Sequence, residues 1–391
     1  MPIDATDAVT NRFRCHACGG DVPVLDAPAL QWLVGSDCTP APGGIEVGSC
    51  IQCGLLQKNT SLPWQQLCAK IYGNYQIYHQ AAGHEQKARG FGANELRPRS
   101  ELIAAFLRDR CDFPRHGSVL DIGCGNGAFL RGMSTVFPEW SVTGADLNAG
   151  FRDEIIAISP RASFRQIDEL AASPATYRLA SLIHCIEHIP APVEYLADAR
   201  RYIEPGGFLL IEVPDAELNP FDLVVADHAS HFSKATLRAV VEAAGYDVIA
   251  CGNVVIGKEI TLLAKPIPGR PAQPLQRSND TSAGRNLAWL ADTLKLGRQL
   301  AREGRPYGVF GTSIAGVWIG SALDREIQFY VDEDQERVGR QYFGVPIIAP
   351  AAIPRGATVF ICLEPQLASA IASRHAGPDR RLVIPPPLAS V

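Results

Sequence analysis

The chain has 391 residues, 47% hydrophobic and 20% charged, the composition of a folded globular protein rather than a disordered one. Its 36 basic and 41 acidic residues leave a net charge of −5, which argues against a broad nucleic-acid-binding surface, because such a surface would be basic. No apolar run reaches the roughly 18–20 residues of a membrane span, and the start MPIDATDAVTNRFRC lacks the positive-then-apolar pattern of a secretory signal. A cytoplasmic protein with neither a membrane nor a nucleic-acid partner is expected.

At about 100–200 residues per domain the length fits two or three domains. Residues 1–68 are rich in Cys, Gly and Pro and too poor in apolar runs to build a large core, so this lobe is expected to need a metal. Gln65 to Arg110 reads as mainly helical and opens the second domain, 69–266. Within it SVLDIG, SVTGADL, ASLIHCI and GFLLIEV are short apolar strands separated by helical stretches, the alternation of a parallel sheet with crossover helices. Residues 267–284 are polar and rich in Pro, Ser and Gly, a linker. From 285 to 391 a helical stretch precedes the strands YGVFG, IQFYVD and TVFICL of a second, smaller α/β unit. The expected class is α/β.

Eleven cysteines in a long chain without a signal read as metal ligands plus buried thiols rather than disulfides. Four stand in two knuckles, Cys15-His-Ala-Cys18-Gly and Cys50-Ile-Gln-Cys53-Gly, separated by 31 residues. Two residues between cysteines let both sulfurs reach one ion. Four thiolates suit tetrahedral Zn²⁺ with no open position, hence a structural site. The bland reading is two reduced thiol pairs, or a redox C-x-x-C, which would normally open a helix of a thioredoxin-like unit.

The segment Asp121-Ile-Gly123-Cys124-Gly125-Asn126-Gly127-Ala128 follows an apolar strand and precedes a helix. Glycines there let a bound molecule lie against the backbone, and the spacing alone fits a dinucleotide loop. Asp121 discriminates: a carboxylate before the first glycine would crowd a pyrophosphate but can accept from an amino group. S-adenosylmethionine carries an ammonium and no phosphate. Asp146, followed by Leu147, ends the next strand and can accept from both ribose hydroxyls. Asp168 is placed to reach the adenine amino group, with Ile167 against the ring.

On these residues, and on HCIEHIPAPVEYLADARRYIEPGGFLLIEVPD, the chain resembles the class I S-adenosylmethionine-dependent methyltransferases. The resemblance implies a Rossmann-like central domain. It also implies that His184 and Cys185 lie near the methionine part of the cofactor, with His188 at the loop that follows. The whole layout resembles a narrower group, the zinc-containing sugar C-methyltransferases acting on nucleotide-linked keto-deoxysugars. There a zinc lobe precedes the methyltransferase domain and a Rossmann-like unit follows it. In the C-terminal unit, Gly308-Val-Phe-Gly311-Thr-Ser-Ile-Ala-Gly316 and Tyr330-Val-Asp332-Glu-Asp334 match that group's degenerate glycine loop and acidic strand end. The implied role is gripping the carrier end of the substrate rather than binding NAD.

The group's catalytic patch after the fifth strand corresponds to Val225-Ala-Asp227-His228-Ala-Ser-His231-Phe-Ser. The resemblance makes His228 the base and Asp227 its neighbour. Val225 and Asp227 replace the group's tyrosine and glutamate. A second patch matches Tyr75, Tyr78 and His79, of which Tyr78 or His79 would donate to an enolate oxygen. Carbon methylation beside a ketone needs a base titrating near neutrality, which histidine supplies. Transfer to oxygen or nitrogen of another small molecule, and a non-catalytic module binding cofactor or sugar nucleotide, remain open alternatives.

Overall fold

A computed structural model describes residues 11–73, 85, 87–89, 96–172, 175–278 and 282–389. Its centre is a seven-stranded sheet: β1 (Ser118–Ile122), β2 (Ser141–Asp146), β3 (Ala162–Gln166), β4 (Tyr177–Ile183), β5 (Ile203–Pro214), β6 (Tyr246–Gly252) and β7 (Glu259–Pro266). The order is β3-β2-β1-β4-β5-β7-β6. The first five strands are mutually parallel, and β7 runs antiparallel between β5 and β6. Parallel strands are buried on both faces, which is why they read as unbroken apolar runs: Val119, Leu120 and Ile122 in β1, and Leu209, Leu210 and Ile211 in β5, are all buried. The α/β expectation holds. Order reverses between β1 and β4, so a crevice opens beyond their carboxyl ends, where open α/β sheets bind ligands.

Among its described residues, the stretch expected to be mainly helical holds α1 (Leu62–Gly73) and α2 (Arg99–Arg110). Between them Lys87–Arg89 and Leu96–Pro98 pair as a short antiparallel ribbon. Among the helices that follow are α3 (Ala128–Val136), α4 (Lys234–Ala243), α5 (Ser282–Ala301) and α6 (Ile314–Leu323). Ser233 caps α4: its hydroxyl accepts from Thr236 N, and its own N–H donates to Thr236 Oγ1. The expected linker is docked rather than free over its described part, with Gln273 N donating to Ala243 O and Ser278 N to Cys53 O.

The C-terminal sheet has β8 (Tyr307–Phe310), β9 (Phe329–Val331), β10 (Gln341–Tyr342), β11 (Val345–Ile348), β12 (Thr358–Phe360) and β13 (Arg381–Val383), in the order β10-β11-β9-β8-β12-β13. All its pairings are parallel except that of β10 with β11.

The three parts share one core. Phe221, from the turn after β5, meets Trp289 of α5 and Trp318 of α6 with centroids 5.3 and 5.8 Å away. Trp318 Nε1 donates to Ala29 O of the N-terminal lobe. Each such ring buries apolar area worth about 1.5–3 kcal/mol. The lobe is also stitched in by hydrogen bonds: its strand Leu56–Lys58 lies between Val47–Ser49 and the two-residue strand Ser230–His231 that follows β5. No helix among the described residues is long and apolar enough to cross a membrane.

Candidate active site

The turn after β1 is built by glycines in the left-handed region. Gly123 has φ +74°, and a Cβ there would sit 2.6 Å from Cys185 Sγ; Gly127, at φ +76°, caps α3. Gly123 N and Cys124 N donate to Ala145 O, fixing the turn against β2. Asp146 Oδ2 accepts from Gly125 N at 2.9 Å, and its Oδ1 accepts from Asn148 N at 2.9 Å. Asp121 is buried beneath the turn and accepts from Ser181 Oγ at 2.7 Å. Burial pushes its carboxyl up to about 7, with the Asp146 charge adding and the Ser181 hydroxyl opposing.

At the end of β4, His184 holds a left-handed backbone, φ +51°, costly for a non-glycine residue. Its ring is fixed by Arg99 Nη1 at 2.9 Å, Glu259 at 3.3 Å and Glu187 at 3.3 Å. Burial and the Arg99 guanidinium push this imidazole down, but the Glu259 and Glu187 carboxylates outweigh them, and it rises to about 9. Arg99 has no motif around it in the sequence; it is the first residue of α2, and only the packing of α2 beside the crevice brings it in.

The histidine expected as base is at the crevice. His228 Nδ1 lies 2.7 Å from Asp222 Oδ1. Its orienting carboxylate is therefore Asp222, six residues back on the 3₁₀ turn Pro220–Val224, and not the adjacent Asp227. The Asp227 carboxylate faces the other way: Ser36 donates to it from N at 2.8 Å and from Oγ at 2.6 Å, and His188 Nδ1 is 3.3 Å away. Asp227, the neighbour of His228 in the sequence, is therefore bonded to Ser36 and His188 and not to His228. His188 and His228 meet edge to face at 4.6 Å. Asp222 Oδ2 lies 2.6 Å from Nδ1 of the buried His231. Burial opposes ionisation of Asp222 and Asp227, but the histidines beside them hold both well below the usual carboxylate range.

One cavity of about 330 Å³ joins these groups. It is lined by Ser36 from the N-terminal lobe, Asp121, Gly125 and His228 from the centre, and Ser313 and Arg337 from the C-terminal unit. Ser313 precedes α6, and Arg337 Nη1 donates to Thr312 Oγ1 at 3.2 Å and to Asp332 at 3.3 Å. Gly123, Cys124, Asn126, His184 and His188 line the cavity too, whereas Gly127, Asp146, Leu147, Ile167, Asp168, Cys185 and Asp227 do not. Leu147 is 77% exposed and Asp168 is exposed. Tyr75, Tyr78 and His79 lie outside the described residues.

The four knuckle cysteines converge. Cys15 and Cys53 sulfurs are 3.7 Å apart, Cys18 and Cys50 sulfurs 3.5 Å, and all four lie within 4.8 Å of one another. A tetrahedral ion with bonds of about 2.3 Å needs sulfur–sulfur edges of about 3.8 Å, so the set fits Zn²⁺. Gln57 Nε2 donates to Cys15 Sγ at 3.0 Å, as a thiolate would require.

Residues 94–250 match the family model of a methyltransferase domain. The C-methyltransferase NovU of Streptomyces niveus is 28% identical over 263 residues, 59% of this chain and 62% of that protein. A trans-aconitate 2-methyltransferase of Paracidovorax citrulli is 27% identical over 135 residues, 34% of this chain and 50% of the other. A ubiquinone biosynthesis O-methyltransferase of Paraburkholderia phymatum is 28% identical over 102 residues, 23% of this chain and 41% of the other. The chain spans about half the length of the curated relatives it matches. Its central sheet is thus the Rossmann-like fold of a class I methyltransferase domain.

Proposed function

We propose that this protein transfers a methyl group from S-adenosylmethionine to a carbon of a nucleotide-linked keto sugar. One observation carries the reading: a single cavity is shared by the glycine turn, by His228 and by the C-terminal unit, so that cofactor, base and a large two-part acceptor can meet in it. Asp146 would hold the ribose hydroxyls and Asp121 the ammonium, with Leu147, Ile167 and Asp168 around the adenine. S-adenosylmethionine supplies an electrophilic methyl on a good leaving group. The protein's part is alignment and proton removal. His228 uses its Nδ1 proton on Asp222, leaving Nε2 to take the proton from the acceptor carbon, and Asp222 stabilises the imidazolium that forms. Ser313 at the start of α6, with Arg337, would receive the anionic carrier. Cys15, Cys18, Cys50 and Cys53 would hold a structural zinc.

Transfer to oxygen or nitrogen is the second reading, supported by the O-methyltransferase relative. Incubation with S-adenosylmethionine and a panel of nucleotide-linked keto sugars, followed by NMR location of the new methyl, separates them. A new carbon–methyl signal is expected; a methoxy or N-methyl signal selects the second reading, and no transfer to any keto sugar rejects the first.

A further inference from the structure

Lys58 is fully buried, an uncommon place for an ammonium. It ends the strand Leu56–Lys58 of the cysteine-rich lobe, and Nζ reaches into the central domain. Nζ lies 2.6 Å from Val225 O, 3.2 Å from Leu223 O and 3.0 Å from His231 Nε2, with His228 O at 3.5 Å. We propose that Lys58 is a positioning residue for His228: acting through His231 and Asp222, it reserves the Asp222 carboxylate for His228 and leaves His228 Nε2 bare toward the cleft. Its consequence for turnover rests on the methyl-transfer reading; the proton arrangement does not.

The arrangement follows from the inventory of donors. An ammonium has three protons and no acceptor. His231 Nε2, facing it, must present its lone pair, so the His231 proton sits on Nδ1. That proton points at Asp222 Oδ2, 2.6 Å away. Asp222, an acceptor through both oxygens, then takes the Nδ1 proton of His228 at 2.7 Å. Donation runs from Lys58 through His231 to Asp222 and from His228 to the same carboxylate, so the two senses meet at Asp222 and His228 Nε2 is left with its lone pair toward the cleft.

Without the cation beside it, His231 is free to gain a second proton and become the charged partner of Asp222. The carboxylate would then already be neutralised when His228 picks up its proton, and the imidazolium on His228 would lose its stabilisation. Burial, and next the Lys58 charge, hold His231 down at about 4, against the pull of Asp222. Burial lowers Lys58 itself to about 8, with the Asp222 and Asp227 carboxylates and the Cys68 thiol facing it. Within the lobe, Gln57 beside Lys58 binds Cys15 Sγ, so the cysteine cluster and the base are ends of one connected set.

The test is a double-mutant cycle in the full-length protein with Lys58→Met and His231→Asn, reading kcat, KM for S-adenosylmethionine, and histidine tautomers by ¹⁵N NMR from pH 5 to 8. An asparagine amide can donate to Asp222 but cannot gain a proton. Lys58→Met is expected to lose about tenfold or more in kcat with KM nearly unchanged, and His231→Asn supplies the background of the cycle. In the His231→Asn background Lys58→Met should cost less than about threefold. In the spectra, His231 should be neutral with its proton on Nδ1 in the wild type and should titrate in Lys58→Met. Equal losses in both backgrounds, or a His231 signal unmoved by Lys58→Met, would overturn the proposal. If Lys58→Met does not fold, Lys58→Arg decides: retention of the wild-type His231 spectrum is expected, and a titrating His231 counts against. A wild type inactive on every acceptor rejects the methyl-transfer reading and leaves the His231 spectrum to judge this one.

Discussion

Asp222 Oδ1 lies 2.7 Å from His228 Nδ1, and both groups are buried at the floor of the cleft. A buried carboxylate so placed fixes the ring's tautomer and lowers the cost of charging it. Asp222→Asn keeps the volume but removes the charge. It is expected to cut kcat by about 10²–10³-fold, with cofactor affinity unchanged. His228→Ala should do the same. Stopped turnover assays paired with calorimetric titration of S-adenosylmethionine check both, and a variant with full rate rejects the base assignment.

Asp146 grips the glycine turn through Gly125 N and, on the proposed reading, the ribose. Hydrogen bonds to a charged group are worth about 1.5–3 kcal/mol, so Asp146→Ala should weaken S-adenosylmethionine binding by about 10–150-fold while kcat at saturation changes little. Equal affinity in the variant would remove Asp146 from the cofactor site.

On the proposed reading, Asp121 gives the cofactor site a pH dependence. Its carboxyl is raised to about 7, chiefly by burial. Below that pH it is mostly protonated and cannot accept a positive charge from the cofactor ammonium. Affinity should therefore fall as pH drops, by up to about tenfold between pH 8 and pH 6 for one linked proton. For stability the sign is opposite: the folded state binds this proton more tightly than the unfolded one, so this group's contribution is lost as pH rises from the ordinary carboxylate value toward about 7. Binding constants of wild type and Asp121→Asn at the two pH values decide it; a wild-type affinity flat with pH sinks the assignment.

The cysteine tetrad should carry one zinc per chain by elemental analysis. Cys15→Ser or prolonged chelation is expected to lower the melting temperature, because such sites contribute folding energy directly. Turnover should fall alongside, since Gln57 and Lys58 hang from the same lobe. Metal-free protein with unchanged melting would exclude a structural ion.

Much of this was readable from residues alone. β1, β2, β4 and β5 are short apolar runs because helices cover both sheet faces, whereas the edge strand β3, with only Phe164 buried, carries no such run; the glycine turn and the two knuckles declare themselves by spacing. Other parts depend on packing that no local pattern encodes. Asp222 reaches His228 because the turn Pro220–Val224 brings it there, a contact six positions apart that adjacency in the sequence does not point to. Lys58 reads as a solvent-facing charge, and only the closure of the lobe onto Ser230–His231 buries it. Arg99 is one more arginine at a helix start until α2 lies beside the crevice. His231 gains its part from its contacts with Asp222 and Lys58.

The pairing of Leu56–Lys58 with Ser230–His231 also bears on biosynthesis. Lys58 and His231 stand 173 positions apart, so on the ribosome the first strand emerges long before its mate exists. Until then it is an open edge able to recruit a stray strand, and closure must await a slow, non-local encounter. Splitting the two segments onto separate polypeptides would turn that encounter into a bimolecular step and make yield depend on concentration.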